Sequence, residues 1–496
     1  MLLGYSLVSM LPTHAAEETW DGGHSSANAW FANLNWADNT APKDGDDLIF
    51  TGTTRLDHSS YGSLDGAGDF QISSITFDSN AGAFVISDGG GGTIKMQGDI
   101  SNDSTNLQTM NFAFQLDGGG DRFINATSGD IAIGGVISKD GNNSRLHQIG
   151  PGTLTLSGNN THYATSLGQL NGDEGGRIVV MHNNALGANS FEFEKGGTLE
   201  LGTSGLNISN AIFAPNWGGA TKRIELNQAG SSTGEISGNI DIRFGQGGGF
   251  EVETGADDTL TFSGNIYTGA GGGAGITKTG DGKLILSGTN TYGGATTVNA
   301  GELQLDGSHT GGIIVNVDGA LSGSGSFNGA LTLKGELSPG NSPGTLSTGN
   351  QTWYDGASLL WEVNNADGTA GANPGWDLLA INGSLTLDQL TAGGFTIDIT
   401  SLNLLNEAGD AEGFDSEVGV QIFKIATTTT GITGFDANDF TLNDGSFSND
   451  GGSWNWSVYV DGNDLYLSAT AAAVPEPSTL GLFSIATIGV LLRRRR

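Results

Sequence analysis

Two serines stand in the spacing that many serine hydrolases use for their nucleophile. A Gly-x-Ser-x-Gly motif surrounds Ser232 and another surrounds Ser342. The motif supplies a nucleophile where a strand turns sharply into a helix, because that elbow exposes the hydroxyl. Ser232 precedes a second strand-like segment, and Ser342 precedes Pro343 within a turn. With 84 glycines in the chain, we interpret both motifs as chance matches.

A group of glutamates is the next candidate, because paired carboxylates cleave glycosidic bonds. Glu192, Glu194 and Glu200 lie close together in the sequence. They alternate with large apolar residues, which is the pattern of a strand with one face in water. We therefore predict a solvated strand face and no catalytic residue. A β-helical polysaccharide lyase or hydrolase is the alternative function.

The sequence predicts no metal site and no cofactor. It has no cysteine, no His-Glu-x-x-His motif and no phosphate-binding Gly-Lys-Ser/Thr loop. Acidic residues cluster at 436–439 and at 461–464, but they match no calcium-binding loop. We interpret both clusters as turns, with incidental calcium binding as the alternative. The seven histidines lack zinc-site spacing, and they are His14, His24, His58, His147, His162, His182 and His309.

Composition and charge narrow the classes of partner and fold. The 496 residues include 53 acidic and 19 basic side chains, for a formal net charge of −34. A field of that sign repels phosphate, so nucleic acid is excluded as a partner. Glycine is unfavourable inside helices and common in turns, and the apolar residues alternate with Ser and Thr. An all-β fold with many turns is indicated.

Internal repetition defines the elements that would position any site. The segment GPGTLTLSGNNT at 150–161 returns as GDGKLILSGTNT at 280–291, and Ser237, Ser263 and Ser287 are spaced by 26 and 24 residues. A period near 25 fits one coil of a parallel β-solenoid, with stacked Asn or Thr side chains joining the coils. In each Leu-x-Leu pair both leucines face the core. These pairs are Leu154 and Leu156, Leu199 and Leu201, Leu284 and Leu286, Leu303 and Leu305, Leu331 and Leu333, and Leu385 and Leu387.

The repeats resemble the autotransporter-associated β-strand repeat, most clearly at 150–163 and 279–305. The resemblance implies a β-helical, passenger-like body, with the tryptophans at 20, 30 and 36 capping its first coil. The fold class that we predict is all-β: an elongated right-handed parallel β-helix (β-solenoid) with a C-terminal β region and a short C-terminal hydrophobic helix. An antiparallel β-sandwich is the alternative for the same strands. In the C-terminal region we assign the tryptophans mainly to the core, with sugar stacking as the alternative.

The first sixteen residues predict a secretory signal peptide. An apolar run at 2–11 precedes Pro12 and a small-residue site that ends at Ala16. A buried N-terminal segment is the alternative interpretation.

The C-terminus carries a Pro-Glu-Pro motif, a fourteen-residue apolar run at 479–492 and four arginines. This order resembles the PEP-CTERM sorting signal. The resemblance implies that an exosortase-type processing enzyme recognises Pro475, Glu476 and Pro477. The apolar run is shorter than the roughly 20 residues that span a bilayer, and a plain membrane helix is the alternative. Arginines stay on the cytoplasmic side, so the basic stop is formed by Arg493, Arg494, Arg495 and Arg496.

Together these features predict a signal peptide at 1–16, a β-solenoid at 17–345, a C-terminal β region at 346–473 and a PEP-CTERM membrane segment at 474–496. The predicted function is that of a secreted or surface-displayed structural or adhesin-like protein, without enzymatic activity, in a Gram-negative-type bacterium. Its expected place is the envelope or extracellular polysaccharide matrix, with exopolysaccharide as a partner. We expect the C-terminal tail to anchor it in the membrane, transiently or stably, before surface display.

Overall fold

The computed structural model describes residues 16–60, 69–90, 92–141, 143–168, 175–215, 220–243, 249–269, 273–414, 419–449 and 454–471. The chain forms two compact units. The first unit consists of Met1–Leu337 and Ser347–Gln351, and the second consists of Ser338–Leu346 and Thr352–Arg496. The described residues are almost entirely strands, turns and loops, as the glycine content and alternating pattern predict.

The strands are short and follow one another with few other elements between them. The first unit contains β1 Glu17–Trp20, β2 Asp46–Phe50, β3 Asp57–Ser59, β4 Phe70–Phe77, β5 Val85–Ser87, β6 Ile94–Met96, β7 Ile100–Asn102, β8 Gln108–Asn111, β9 Phe114–Leu116, β10 Asp121–Asn125, β11 Ile131–Ile133, β12 Ile137–Lys139, β13 Arg145–Leu156, β14 Ala164–Leu167, β15 Gly175–Val180, β16 Phe191–Phe193, β17 Gly197–Leu201, β18 Leu206–Ile208, β19 Ile212–Pro215, β20 Lys222–Leu226, β21 Thr233–Ile236, β22 Ile240–Arg243, β23 Phe250–Thr254, β24 Thr259–Phe262, β25 Ile266–Tyr267, β26 Ile276–Thr279, β27 Lys283–Leu286, β28 Thr289–Asn290, β29 Thr296–Leu305, β30 Ser308–His309, β31 Ile313–Gly323, β32 Ser326–Phe327 and β33 Leu331–Leu333. The chain passes between the units over β34 Glu336–Pro339, β35 Thr345–Thr348 and β36 Gln351–Tyr354. The second unit continues with β37 Ser358–Val363, β38 Thr369–Ala370, β39 Gly375–Trp376, β40 Leu378–Ile381, β41 Ser384–Gln389, β42 Phe395–Ser401, β43 Val420–Thr428, β44 Gly431–Thr433, β45 Phe440–Ser446, β46 Trp454–Asp461 and β47 Asp464–Ala471. Two 3₁₀ turns lie at Asn33–Asn35 and Ala437–Asp439.

The first unit is a stack of coils in which each strand pairs in parallel with strands of the preceding and following coils. The repeat of about 25 residues sets this register, since Ile236 aligns with Phe262 and Phe262 aligns with Leu286. Leu286 aligns in turn with Leu305. All four side chains are buried. The predicted parallel β-solenoid is confirmed, and the parallel pairing excludes a β-sandwich for this unit.

The Leu-x-Leu stripe supplies the apolar core of the coils. Leu284 and Leu303 are neighbours in register, and both are fully buried on the same face as their Leu-x-Leu partners. Full burial of one such side chain stabilises the fold by about 1.5–3 kcal/mol. Each coil must supply its own part of the stripe, because its strands are too short to form a core alone.

A buried asparagine joins three successive coils through backbone groups, whereas we predicted hydrogen bonds between stacked polar side chains. The side-chain oxygen Oδ1 of Asn160 accepts a hydrogen bond from the Ile137 N–H at 2.8 Å. Its side-chain nitrogen Nδ2 donates to the Ala185 carbonyl oxygen at 2.8 Å. Its side chain is buried, so both bonds satisfy backbone groups away from water. The Asn160 side chain therefore fixes this corner of the stack by two specific contacts.

Glycine is required at positions where the backbones of two coils approach closely. Gly280 has φ of +72°, and a Cβ there would overlap the Thr254 carbonyl oxygen of the preceding coil. Both the backbone angle and the available space favour a residue without a side chain. Gly280 begins the second of the two sequence repeats, and Gly150 begins the first. The same steric requirement explains why both repeats begin with glycine.

Tryptophans cover the core beside the first described strand. Trp20, Trp30 and Trp36 are fully buried. The Trp20 and Trp36 rings meet edge to face with centroids 5.3 Å apart, and the Trp36 indole N–H donates to the Trp30 carbonyl oxygen at 2.6 Å. The burial of all three rings agrees with the predicted cap of the first coil.

The second unit mixes parallel and antiparallel pairing. β37, β42 and β45 pair in parallel, whereas β43 and β46 each pair antiparallel with β47. Trp353, Trp361 and Trp454 are buried in this unit, which agrees with their assignment to the core. Within the described ranges, no helix is long and apolar enough to cross a membrane. The predicted C-terminal helix at 479–492 and the signal peptide, apart from Ala16, lie outside those ranges.

Candidate functional site

The sorting residues that the sequence predicts lie outside the described part of the chain. They are Pro475, Glu476, Pro477, Arg493, Arg494, Arg495 and Arg496. Their role therefore remains a prediction from the sequence, and the geometry below concerns the other candidates.

Ser232 lies in a tight turn of the solenoid. Its side chain is buried, and its backbone N–H donates to the Asp258 carboxylate at 2.8 Å. The next residues form β21, which continues the sheet. The strand-to-helix elbow of a serine hydrolase is therefore not formed here, and the turn has a structural role.

Ser342 lies in a loop that two carboxyl groups hold in place. The backbone at Ser342 has φ of +56°, and its side chain hydrogen-bonds to Glu362, whose pKa is raised mainly by burial. Asp377 is 0% exposed and accepts hydrogen bonds from the N–H groups of Gly344 and Glu362 at 2.8 and 2.9 Å. Burial also raises the pKa of Asp377 well above its ordinary value, and the charge of Glu362 adds to the effect.

The arrangement around Ser342 fastens a loop and does not form a nucleophile elbow. A strand follows the loop, whereas the nucleophile of an elbow is followed by a helix. The sequence places Glu362 and Asp377 far from Ser342, so no spacing rule could have found these partners.

The predicted alternation at Glu192, Glu194 and Glu200 is confirmed, because Phe191, Phe193 and Leu201 are fully buried. The glutamate face is less solvated than predicted. Glu194 is buried and Glu192 is half-buried. The Glu192 carboxylate lies 3.6 Å from the Arg145 guanidinium, and burial raises the pKa of Glu192, followed by repulsion from Glu194. Glu200 lies on a different strand, β17, in an ion pair with Arg177.

The reason for this difference is the stacking of the coils. Side chains that point outward from one strand lie directly against those of the strands above and below, since paired strands are roughly 4.8 Å apart. Alternation along the chain shows which face a side chain occupies. It does not show which charges from neighbouring coils come to lie beside it.

Three coils bring together serine, histidine and aspartate, the residue types of a catalytic triad. The Ser166 hydroxyl lies 2.6 Å from His147 Nδ1, and His147 Nε2 lies 3.2 Å from the Asp121 carboxylate. In serine proteases Nε2 faces the serine and Nδ1 faces the aspartate, so the ring here is reversed. Ser166 is only 2% exposed, which closes the hydroxyl to a substrate. The cluster links coils, and sequence reasoning missed it because its members come from three separate strands.

The acidic turns are occupied by partners from the chain itself. The Asp436 carboxylate accepts a hydrogen bond from the Asn438 N–H at 2.9 Å and so caps the 3₁₀ turn. Asp464 lies 2.6 Å from the Lys424 ammonium and also accepts from Thr427 at 2.6 Å. Across the described ranges, no three acidic or histidine side chains converge as metal ligands would. These contacts agree with the interpretation of both clusters as turns.

A cleft of about 640 Å³ opens in the first unit, lined in part by Asp69, Thr93 and Phe114. Asp69 pairs with the Lys95 ammonium at 2.7 Å, and Phe114 is buried. The lining also includes the carboxylate of Asp88 and the exposed aliphatic side chain of Val136.

The second unit presents aromatic rings on an outward sheet face, which we call the tyrosine face. In the antiparallel register Tyr459 aligns with Tyr466, and Tyr466 aligns with Lys424. The two tyrosine rings are nearly parallel, with an interplanar angle of 13° and centroids 5.3 Å apart. The face is formed by Val420, Ile422, Lys424, Asn455, Ser457, Tyr459, Asp461, Asp464, Tyr466, Ser468 and Thr470.

Comparison with known proteins identifies both predicted sequence features. The passenger-associated-transport-repeat family matches residues 146–164 and 276–305, and the PEP-CTERM protein-sorting motif matches residues 473–496. The chain thus carries autotransporter-associated repeats and a PEP-CTERM motif, as the resemblances indicated. The repeat matches fall on β13 and on β26 to β29 of the coil stack.

Two curated proteins are similar to parts of the chain. An adhesin, the BmaC autotransporter of Brucella suis biovar 1 (strain 1330), is 35% identical over 189 residues, which cover 37% of this chain and 5% of the adhesin. An extracellular serine protease of Serratia marcescens is 35% identical over 167 residues, which cover 33% of this chain and 14% of the protease. These similarities and the sorting motif support a repeat-containing β protein that is exported to the cell surface or the extracellular space.

Proposed function

We propose that this chain is a structural, adhesin-like protein of the cell surface or extracellular polysaccharide matrix, and that it has no catalytic activity. The observation that carries the proposal is the combination, in one chain, of a passenger-type coil stack with a PEP-CTERM motif. A stack of coils presents repeated side chains along extended sheets, which suits contact with a polymer.

The geometry of the candidate serines supports a function without catalysis. Ser166 and Ser232 are buried, and Ser342 is held in a loop by a carboxyl group. The serine protease of Serratia marcescens is matched over a small part of its length, so its activity is not transferred to this chain.

The C-terminal tail would direct the sorting. In this proposal Pro475, Glu476 and Pro477 are recognised by an exosortase-type enzyme, while the four terminal arginines hold the tail at the cytoplasmic side of the membrane. The apolar run between them anchors the chain until it is cut. The mature protein is then displayed outside the cell.

Cell fractionation tests the sorting. The full chain is expressed in the producing bacterium beside a Pro475→Ala/Pro477→Ala variant, and the C-terminal peptide of each is identified by mass spectrometry. The mature chain should be found at the surface without Arg496, and the variant should stay in the membrane with Arg496 intact. Pro151→Ala, at an exposed proline of the first unit, is the matched control and should behave as the unaltered chain. Recovery of the unaltered chain in the cytosol, with Met1 and Arg496 intact, overturns the proposal.

Incubation with exopolysaccharide from the same bacterium tests the absence of catalysis. The bound protein and the length of the polysaccharide are followed in the same samples. We expect bound protein at constant polymer length. Shortening of the polymer would instead support the polysaccharide lyase or hydrolase alternative.

A further inference from the structure

The tyrosine face belongs to a sheet whose two sides differ in character. Along β46 and β47 the residues alternate, so Val458 and Leu467 point into the core while Tyr459 and Tyr466 point outward. Neighbouring β43 contributes Ile422 to the outward side. The sheet therefore carries aromatic and aliphatic side chains on the side that does not pack against the core.

The ring of Tyr466 is held by polar neighbours before any ligand arrives. Its hydroxyl donates to the Asp464 carboxylate at 3.2 Å, and the same carboxylate pairs with the Lys424 ammonium at 2.6 Å. The ammonium lies 5.9 Å from the centre of the Tyr466 ring. A side chain fixed in this way loses little conformational entropy on binding.

Apolar and hydrogen-bonding groups alternate across the face. Ile422 is 55% exposed and Val420 is 52% exposed, which is high for large aliphatic side chains. Beside them the hydroxyls of Ser457 and Ser468 lie 2.8 Å apart, and either can donate outward or accept. Such a surface fits a ligand that has an apolar side and a rim of hydroxyls.

The charges of the face and of the whole chain favour an uncharged ligand over a charged one. Lys424 and Asp464 neutralise each other, and Asp461 is the remaining charged group among the residues of the face. With a net charge of −34 in the whole chain, an acidic polymer or a second copy of the protein is repelled. An uncharged polymer meets no such barrier.

We propose that the tyrosine face binds uncharged polysaccharide. The C–H side of the sugar rings would pack across the outward edges of the stacked Tyr459 and Tyr466 rings, and the sugar hydroxyls would bond to Ser457 and Ser468. Rigid tyrosine rings give large contact areas at low entropic cost, and apolar contact with a polar rim is their usual role at interfaces. The inference rests on the proposed adhesive function and names its ligand class and its site.

Affinity electrophoresis of the full chain tests the site. The gels contain hydroxyethyl cellulose or galactomannan as neutral polymers, or alginate as an acidic one. The neutral polymers should retard the unaltered chain and alginate should not. Tyr459→Ala/Tyr466→Ala should weaken binding roughly tenfold or more, as loss of central aromatic contacts does, whereas Tyr459→Phe/Tyr466→Phe should keep most of it. Tyr267→Ala, at a half-buried tyrosine of the first unit, is the matched control and should bind normally.

A second measurement needs no variant and therefore does not depend on folding. Tetranitromethane nitrates accessible tyrosines, and mass spectrometry gives the extent at each position. Added galactomannan should protect Tyr459 and Tyr466 and leave Tyr267 unchanged. Equal nitration with and without the polymer overturns the inference, as does equal binding by the double alanine variant.

The outcomes separate this inference from the proposed function. A chain that reaches the cell surface but fails to bind either neutral polymer refutes the inference and leaves the sorting intact. Binding of alginate alone also refutes it. Light scattering that shows a dimer lost in the double alanine variant would assign the face to self-association and overturn the glycan site.

Discussion

Acid should weaken the N-terminal part of the solenoid through one buried histidine. His58 is 2% exposed and lies among aromatic rings, with centroids 4.3 Å from Trp20 and 5.3 Å from Phe50. Burial lowers the pKa of His58 from its ordinary 6.5 to about 3, opposed in part by a hydrogen bond with the backbone at Ser59. The folded chain therefore keeps the ring neutral where the unfolded chain would protonate it.

The sign and size of the effect follow from this difference in pKa. Below pH 6.5 the unfolded state binds one more proton than the folded state, so stability is complete above pH 6.5 and falls toward pH 3. Each pH unit in this range costs about 1.4 kcal/mol. Between pH 6.5 and pH 4, His58 alone should remove about 3 kcal/mol from the free energy of unfolding of its part of the chain.

His58→Phe tests the argument, because phenylalanine fills the aromatic site without a titrating group. Urea unfolding is followed by tryptophan fluorescence at pH 7, 5 and 4. Other titrating groups are shared, so the variant should lose about 3 kcal/mol less than the unaltered chain between pH 7 and pH 4. Phe84→Leu, in the same cluster, is the control and should lower stability equally at every pH. Parallel pH profiles for His58→Phe and the unaltered chain would refute the reasoning.

Two further substitutions test how the coils are joined. Asn160→Ala should destabilise the first unit by about 2–4 kcal/mol, because it leaves the Ile137 N–H and the Ala185 carbonyl without their bonds; an unchanged urea midpoint would contradict this. Gly280→Ala should destabilise by more than about 1 kcal/mol, because the new Cβ meets the Thr254 carbonyl at positive φ; the check is the same midpoint, and a rise in it would contradict the steric argument.

The periodicity in the sequence was sufficient to predict the coil stack. The spacing of 26 and 24 residues between Ser237, Ser263 and Ser287 is the spacing at which β21, β24 and β27 align. Leu284 and Leu286 lie in the buried stripe that their alternation indicated. Such features are predictable because the core position of a residue depends on its own strand and on the repeat length alone.

The polar clusters were not predictable in the same way. Glu194 looked solvated because its neighbours in sequence alternate, yet it lies 3.4 Å from His147 of another coil. Tyr459 and Tyr466 face each other because the turn between Asp461 and Asp464 fixes the register of their strands. The sequence predicts that turn but not the hairpin that it forms. Contacts between side chains of different coils depend on loop lengths between them, which vary along this chain.

Because each coil pairs only with adjacent coils, the gene can gain or lose whole repeats. A coil contacts the coils before and after it, so deletion or tandem duplication of a whole repeat joins the flanking coils in a register that they already use. Ile236, Phe262 and Leu286 occupy the same position in three successive coils. DNA that encodes one such interval could therefore be deleted or duplicated without changing the register of the flanking strands. Recombination between the similar segments at 150–161 and 280–291 would remove or add several coils in one event. Strains of the same bacterium would then display proteins with different numbers of coils, but with identical end segments and the same tyrosine face.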